Sequence, residues 1–304
     1  MSSSADWRKL YPFESHYLSV PDARVHYVDE GAEVAEGAGG PLLMVHGNPT
    51  WSFYWRNLIS AFRDDHRCVA IDHVGCGLSD KPQQYEYRLE NHIANLVALI
   101  DSLNLKQITL LVHDWGGAIG LGAALQRPDR FARLVLFNTG AFPPPFCPLR
   151  IRACRIPGIG PWMVRQFNAF ARPALTMATE KPERFTPEVC AGLIAPYDNY
   201  HNRIATARFV QDIPLSKSHP TYATLERIEQ QLPTLGHLPI QLLWGAKDWC
   251  FTMECLERFQ QIWPSAQTTV FDDAGHYVVE DAIERIEPIV RDFLKTEAPT
   301  EASS

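Results

Sequence analysis

The sequence predicts an α/β fold: a mostly parallel, eight-stranded sheet covered by helices on both faces, with a helical insertion after the sixth strand. Three observations carry this. Apolar runs such as "PLLMV", "ITLLV" and "RLVLF" are continuous rather than alternating, which marks strands buried on both faces. Stretches with helical spacing separate them, the rhythm of parallel strands joined by crossovers. That rhythm stops between about Ala141 and Ser216, where the proline-rich "FPPPFCPLRIRACRIPGIGPW" leads into a helical pattern with no convincing strand.

In chain order, "HYLSV" and "RVHYVDEG" form an opening hairpin turning at Pro21-Asp22. "PLLMVHG" is the third strand, followed by a helix over 52–63. "RCVAIDHVG" is the fourth, followed by a helix over 88–104. "ITLLVHD" is the fifth and runs straight into a helix over 115–127, and "RLVLFNTG" is the sixth. After the insertion come "PIQLLWGAKD", a helix near 252–263, "QTTVFDDAGH" and a helix near 281–295. The expected division is a core of residues 1–140 and 217–304 with a cap of residues 141–216. The cap would lie over the carboxyl edge of the sheet, where open α/β sheets hold their ligands. "MSSSA" and "TEAPTEASS" at the two ends read as disordered.

Composition narrows the function. A chain of 304 residues, 46% hydrophobic and 21% charged, can bury a large core, and a net charge of -7 argues against nucleic acid as a partner. Seven cysteines without a CxxC pair read as free thiols in a reducing compartment, not as a disulfide frame or a zinc site. The start of the chain has no apolar signal core, and no run approaches the length of a membrane span, so a cytoplasmic enzyme is expected. With no metal cluster, phosphate loop or nucleotide fingerprint, no cofactor is expected.

The chemistry concentrates at "LLVHDWGGAIG", residues 110–120. A strand that ends on a nucleophile and turns at once into a helix, with glycines alongside, is a nucleophile elbow, whose usual form is G-x-S-x-G. Here His113 replaces the first glycine and Asp114 replaces the serine. Serine must be deprotonated before it attacks. An aspartate, with an ordinary pKa of about 4, is already an anion at neutral pH. It suits attack on a carbon bearing an anionic leaving group, which gives an ester on the enzyme. His276, just past the last strand, is the expected base. Asp248, just past the preceding strand, is its expected acid partner, and the order nucleophile, acid, histidine is that of the elbow folds. The backbone N–H groups near Asn48 and at Trp115 would form an oxyanion hole. The Asn48 amide and Trp115 indole would be donors to a departing anion. His46 and His113 read as structural, Asp72 and Asp80 as turn residues beside Gly75 and Gly77. Asp272 and Asp273 sit too near His276 in sequence to orient it.

At these residues the chain resembles the haloalkane dehalogenase family of α/β-hydrolases, through "HGNPTWSFYWRNLI", "GCGLSDKP", "VHDWGG" and "DAGHYVVED", from about Tyr11 to Leu294. The resemblance implies an α/β-hydrolase fold with Asp114 as nucleophile, Asn48 and Trp115 as leaving-group donors, His276 as base and Asp248 as acid. One subfamily places the acid after the sixth strand, where this chain has Asn138. Another uses a cap tryptophan as halide donor, for which Trp162 is the candidate. Asn48 with Asp248 resembles the third subfamily, which includes the β-lactone decarboxylases of bacterial long-chain olefin biosynthesis. "FNAFAR" and "APYDNYHNRIATARFVQDIPL" in the cap look most like those enzymes. The implied reaction converts a long-chain cis-3,4-dialkyl β-lactone to a cis-alkene and carbon dioxide. Hydrolysis of a carbon–halogen bond by the same triad is the alternative. Epoxide hydrolysis, with Tyr197, Tyr200 or Tyr222 as acid donors, is the least favoured enzyme reading. Asp114 itself counts against a serine esterase, and the intact triad against a non-catalytic scaffold.

The cap carries a further signal. From Gly140 to Thr179 there is no Asp or Glu, while Arg150, Arg152, Arg155, Arg165 and Arg172 interleave with apolar residues. Arginine stems packing on the cap explain part of this. The sharper expectation is a basic, apolar surface for an anionic membrane or a lipid-delivering partner. The resemblance adds β-lactone synthetase and dehydrogenase enzymes of the same biosynthesis as expected partners, beside a small apolar substrate.

Overall fold

The computed structural model describes residues 6–31 and 40–296. The expectation of disordered ends falls on residues 1–5 and 296–304, which lie outside the described residues except for Thr296, bonded to the Phe293 carbonyl. Among the described residues eight strands form one sheet in the order β1-β2-β4-β3-β5-β6-β7-β8. The hairpin of β1 (His16–Val20) and β2 (Ala23–Glu30) is antiparallel and turns through Asp22 at φ 65°. β2 runs antiparallel to β4 (Cys68–Ile71). β4, β3 (Leu42–Val45), β5 (Ile108–Asp114), β6 (Phe131–Thr139), β7 (Ile240–Gly245) and β8 (Gln267–Phe271) are mutually parallel.

The continuous apolar runs become strands buried on both faces, because successive side chains enter two different cores. Leu110 and Val112 of β5 join one core; Leu111 joins the other. The first core is covered by α2 (Leu89–Ser102) and α3 (Trp115–Gln126), through Ile93, Leu96, Ile119 and Leu121. The second is aromatic, with Trp51, Phe53, Tyr54 and Trp55 beside α1 (Arg56–Phe62). Nearly all of α3 is buried, which fixes the axis along which the helix leaves the elbow.

The stretch between β6 and β7 holds helices and no strand: α4 (Leu149–Ala153), α5 (Ile159–Phe167), α6 (Ala171–Met177), α7 (Pro187–Ile194), α8 (Ile204–Asp212) and α9 (Pro220–Gln231). Arginines tie these helices together. Arg155 donates to the carbonyls of Val210 and Gln211 at 2.6 and 2.7 Å, satisfying the carboxyl end of α8. The buried Arg203 donates to the carbonyls of Arg165, Gln166, Tyr197 and Asp198 and so holds the end of α5. α9 packs on α2 and α3. The sequence reading passes over α9, because Leu225, Ile228 and Leu232 are sparse apolar positions in a polar stretch. The chain then runs through α10 (Met253–Ile262), α11 (Val278–Asp281) and α12 (Ile283–Leu294). No helix among the described residues is long and apolar enough to cross a membrane.

Candidate active site

The elbow is a crowded junction. β5 ends on Asp114 at φ 53°, ψ -127°, and α3 begins at the next residue. A side chain in this sparsely populated region persists only where its surroundings hold it. The Thr139 hydroxyl, on β6, donates to the Asp114 carbonyl. A Cβ on Gly116 would lie 2.0 Å from the Val45 carbonyl oxygen, and one on Gly47 would lie 2.0 Å from Asp114 Oδ1. Glycine is required at both because the ends of β3 and β5 meet there.

The carboxylate so displayed is 7% exposed. The Asn48 backbone N–H donates to its Oδ1 at 2.6 Å. The Trp115 backbone N–H also stabilises it. The expected oxyanion hole therefore cradles the carboxylate itself. Its Oδ2 faces His276 Nε2 across 3.8 Å, longer than a hydrogen bond. Burial pushes the Asp114 carboxyl up to about 6, against the opposing pull of His276 and the two backbone N–H groups. The expectation of an ordinary acidity near 4 is thus corrected, since desolvation under an apolar cavity penalises the anion. The group stays largely ionised at neutral pH.

His276 Nδ1 lies 2.8 Å from Asp248 Oδ2. Asp248 Oδ1 accepts from the backbone N–H groups of Cys250 and Phe251, at 2.7 and 3.1 Å. Asp248 serves as an acceptor throughout, so the proton sits on Nδ1 and Nε2 is left toward Asp114. Burial lowers the His276 imidazole, but the charge and hydrogen bond of Asp248, followed by the charge of Asp114, outweigh it and raise the ring above its ordinary value. His113 Nε2 meets the His276 carbonyl at 2.8 Å, and Phe251 stacks on the ring at 5.8 Å.

The structure therefore brings Asp114, His276, Asp248, Asn48 and Trp115 together. One of the two expected donors needs revision. The Asn48 amide gives one N–H to the Thr206 carbonyl of α8 at 3.3 Å, so only one hydrogen remains for a ligand. The Trp115 indole lines the cavity beside Phe209, and among the described residues no acceptor engages its N–H. His46 is structural, bonded to the Gly47 carbonyl and to the His73 backbone N–H. Asp80 binds the backbone and guanidinium of Arg24. Asp72 is more than a turn residue: wholly buried, it accepts from Leu78 N and Ser52 N and pairs with His26 at 2.8 Å. Asp273 pairs with Lys181 and Arg285 at the surface. Asn138 bonds both backbone groups of Gly245, joining β6 to β7 where an acid could otherwise stand.

Sequence reasoning missed Asp281. It accepts from Gly275 N, Glu180 N and the Thr179 hydroxyl, at 2.8, 2.9 and 2.5 Å, and so pins the loop that carries His276 to the segment leading out of α6. An acid five residues after a histidine carries no pattern that announces this.

Above the carboxylate is an apolar cavity of about 170 Å³. Its floor is Asp114, Trp115, Asn48 and His276; its walls include Phe142, Phe170, Met177, Ile213 and Leu225. It reaches the surface at Phe146 and Arg150, both exposed. Trp162 does not line it and stands half-exposed on the outside, so the cap-tryptophan reading fails. Tyr197, Tyr200 and Tyr222 do not line it either; the Tyr197 hydroxyl is spent on the Thr50 carbonyl.

Fold and site together define an enzyme of the α/β-hydrolase class with a carboxylate at the elbow. The chain belongs to the alpha/beta hydrolase fold family, whose model matches residues 40–283. A cis-3-alkyl-4-alkyloxetan-2-one decarboxylase from Shewanella oneidensis is 43% identical over 97% of this chain and 92% of its own length. Haloalkane dehalogenase 2 from Mycobacterium tuberculosis is 34% identical over 91% of this chain and 94% of its own. Among solved structures, a haloalkane dehalogenase from Agrobacterium tumefaciens superposes with a TM-score of 0.82 at 27% identity, over 92% of this chain and 96% of that one.

Proposed function

We propose that this enzyme is a β-lactone decarboxylase that converts a cis-3,4-dialkyl β-lactone to a cis-alkene and carbon dioxide through an ester on Asp114. The observation that carries the chemistry is the Asp114 carboxyl group, held through Oδ1 by a backbone N–H and set at the floor of an apolar cavity. The choice of substrate is supported by the greater likeness to the decarboxylase than to the dehalogenase. Asp114 attacks the alkyl carbon of the ring, and the ring C–O bond breaks to release a carboxylate. The remaining Asn48 amide hydrogen and the Trp115 indole N–H suit that anion. The carboxylate then leaves as carbon dioxide. Its bonding pair forms the double bond and expels Asp114 as the free carboxylate, so no water is consumed. Inversion followed by anti elimination is net syn, so a cis ring gives a cis-alkene. Imidazolium at His276, favoured by Asp248, stabilises Asp114 as it departs.

Hydrolysis of a carbon–halogen bond is the second reading, and the same geometry favours it: Nε2 is unprotonated in neutral His276 and set back by 3.8 Å from Asp114, able to activate water against an ester. The test offers the enzyme a cis-dialkyl β-lactone and a long bromoalkane, measuring alkene, carbon dioxide and halide. Alkene with carbon dioxide supports the proposal; halide without alkene overturns it. His276→Phe sharpens the result. Dehalogenation would stall after one turnover with the alkyl ester on the Asp114 peptide, whereas elimination would continue at a reduced rate.

A further inference from the structure

Twelve large apolar side chains stand exposed among the described residues, and seven of them fall between Phe146 and Phe167. Leu149 is 78% exposed, Ile159 60%, Phe167 56% and Trp162 50%. In α5 the exposed positions Ile159, Trp162, Met163 and Phe167 have the spacing of one helical stripe, while Gly160 and Val164 face the protein. A surface helix ordinarily turns its apolar stripe inward; this one turns it outward. The orientation is fixed by the inner face. A Cβ on Gly160 would lie 2.3 Å from the Cys154 carbonyl oxygen, and Arg203 holds the last carbonyls of α5. Single exposed apolar residues are ordinary, but a concentration of them within some twenty residues marks an interaction surface.

Charge identifies the partner. Residues 140–179 contain five arginines and no Asp, Glu or Lys, in a chain of net charge -7. Arg155 and Arg165 are occupied, by the end of α8 and by Tyr200 and Gln83. Arg152 and Arg172 are exposed, and among the described residues no acidic side chain pairs with them. A second copy of the chain docked through this same face would set arginine against arginine. The patch also borders the cavity mouth, since Phe146, Arg150 and Ile151 line the way to Asp114.

We propose that the Phe146–Phe167 segment docks on an anionic lipid bilayer and sets the cavity mouth against the hydrocarbon. Apolar side chains enter the interface, and Arg152 and Arg172 meet anionic headgroups. An apolar substrate dissolved in the bilayer then reaches Asp114 without crossing water. The proposal is independent of whether that substrate is a lactone or a haloalkane.

The test is co-sedimentation of the full chain with vesicles of phosphatidylcholine, alone or mixed with phosphatidylglycerol, at low and high salt. Binding to the mixed vesicles, weakened by salt, is expected. Ile159→Ser with Trp162→Ser, and separately Arg152→Glu with Arg172→Glu, should each reduce partitioning by roughly tenfold or more. Turnover of a short, water-soluble substrate should be unchanged in both, which establishes that the site is folded. Failure to bind either vesicle overturns the proposal, as does binding that neither double variant reduces. A wild type that is oligomeric without lipid, and becomes monomeric in the Ile159/Trp162 variant, overturns it in favour of a second copy of the chain.

Discussion

At the carboxyl ends of β5, β7 and β8 polar side chains are buried, and each is held by several partners. Asp114 is reached by the Asn48 and Trp115 backbones, Asp248 by two backbone N–H groups and His276, and the His276 loop by His113 and Asp281. Along the outer faces of α4 and α5 the reverse holds: Leu149, Ile159, Trp162, Met163 and Phe167 are apolar and exposed. The difference teaches where each region's constraint lies. In the first, position is over-determined, so a small change costs much. In the second, the fold asks little of the outward side chains, and whatever they contribute comes from outside the molecule.

The hardest blow to the first region is Asp114→Asn. We predict a loss of turnover on the order of 10⁴-fold or more, since a weak amide replaces the attacking group. The same change should stabilise the fold. A carboxyl raised from 3.8 to about 6 binds its proton more tightly folded than unfolded. Its contribution to stability is complete below pH 3.8 and is lost as pH rises through about 6, leaving a buried anion that costs about 3 kcal/mol. Urea unfolding should therefore show Asp114→Asn more stable than wild type at pH 8, by up to about 3 kcal/mol, with the gain gone by pH 4. Equal stability at pH 8 would mean the carboxylate is not desolvated as described.

Asp248→Asn tests whether orientation matters as much as presence. The amide would present a donor to His276 Nδ1, or turn its oxygen there and lose a backbone N–H contact. A fall in kcat of about 10²- to 10⁴-fold is expected, with KM little changed. Gly116→Ala tests the packing of the elbow without touching its chemistry. The added methyl meets the Val45 carbonyl, which is backbone in the centre of the sheet and cannot rotate away. Loss of about 3 kcal/mol in denaturant unfolding is expected, with turnover reduced in what remains folded. An alanine variant as stable as wild type would show that β3 yields.

A gentler perturbation is pH. Attack requires ionised Asp114, so kcat/KM should fall about tenfold per unit as pH drops below about 6, while the fold persists. A profile flat down to pH 5 would return Asp114 to the ordinary acidity that the sequence alone suggests.

That last contrast shows where the sequence is readable. Strands buried on both faces write themselves as continuous apolar runs, and Asp114 ends one of them, β5, while Asp248 follows another, β7. His276 follows β8, whose QTTVF is mostly exposed, and was legible from its place before the last helix. Desolvation was not, because it depends on Phe142, Phe170 and Leu225, which lie far from Asp114 in sequence. Nor was the partnership of Asn48 with Thr206, which arises only when α8 meets the end of β3. Arg155 looked like one of five equivalent surface charges, yet it satisfies the carbonyls that end α8. The helix α9 escaped because its inward stripe is short and flanked by polar residues. Side chains that act through neighbours distant in the chain leave no local pattern.

The smallest expected effect belongs to the second region. Leu149 is the most exposed of the large apolar residues, and ordinary folding logic would make its burial a source of stability. Here the side chain is already in water when the protein is folded, so Leu149→Ser removes nothing from a core and leaves no cavity. We predict a change in unfolding free energy within about 0.5 kcal/mol, read by urea titration. A loss of 2 kcal/mol or more would mean that Leu149 packs against the protein in solution. The contrast between an over-determined bed and an outward-facing apolar helix pair would then collapse, and with it the reason for seeking the partner of that surface outside the chain.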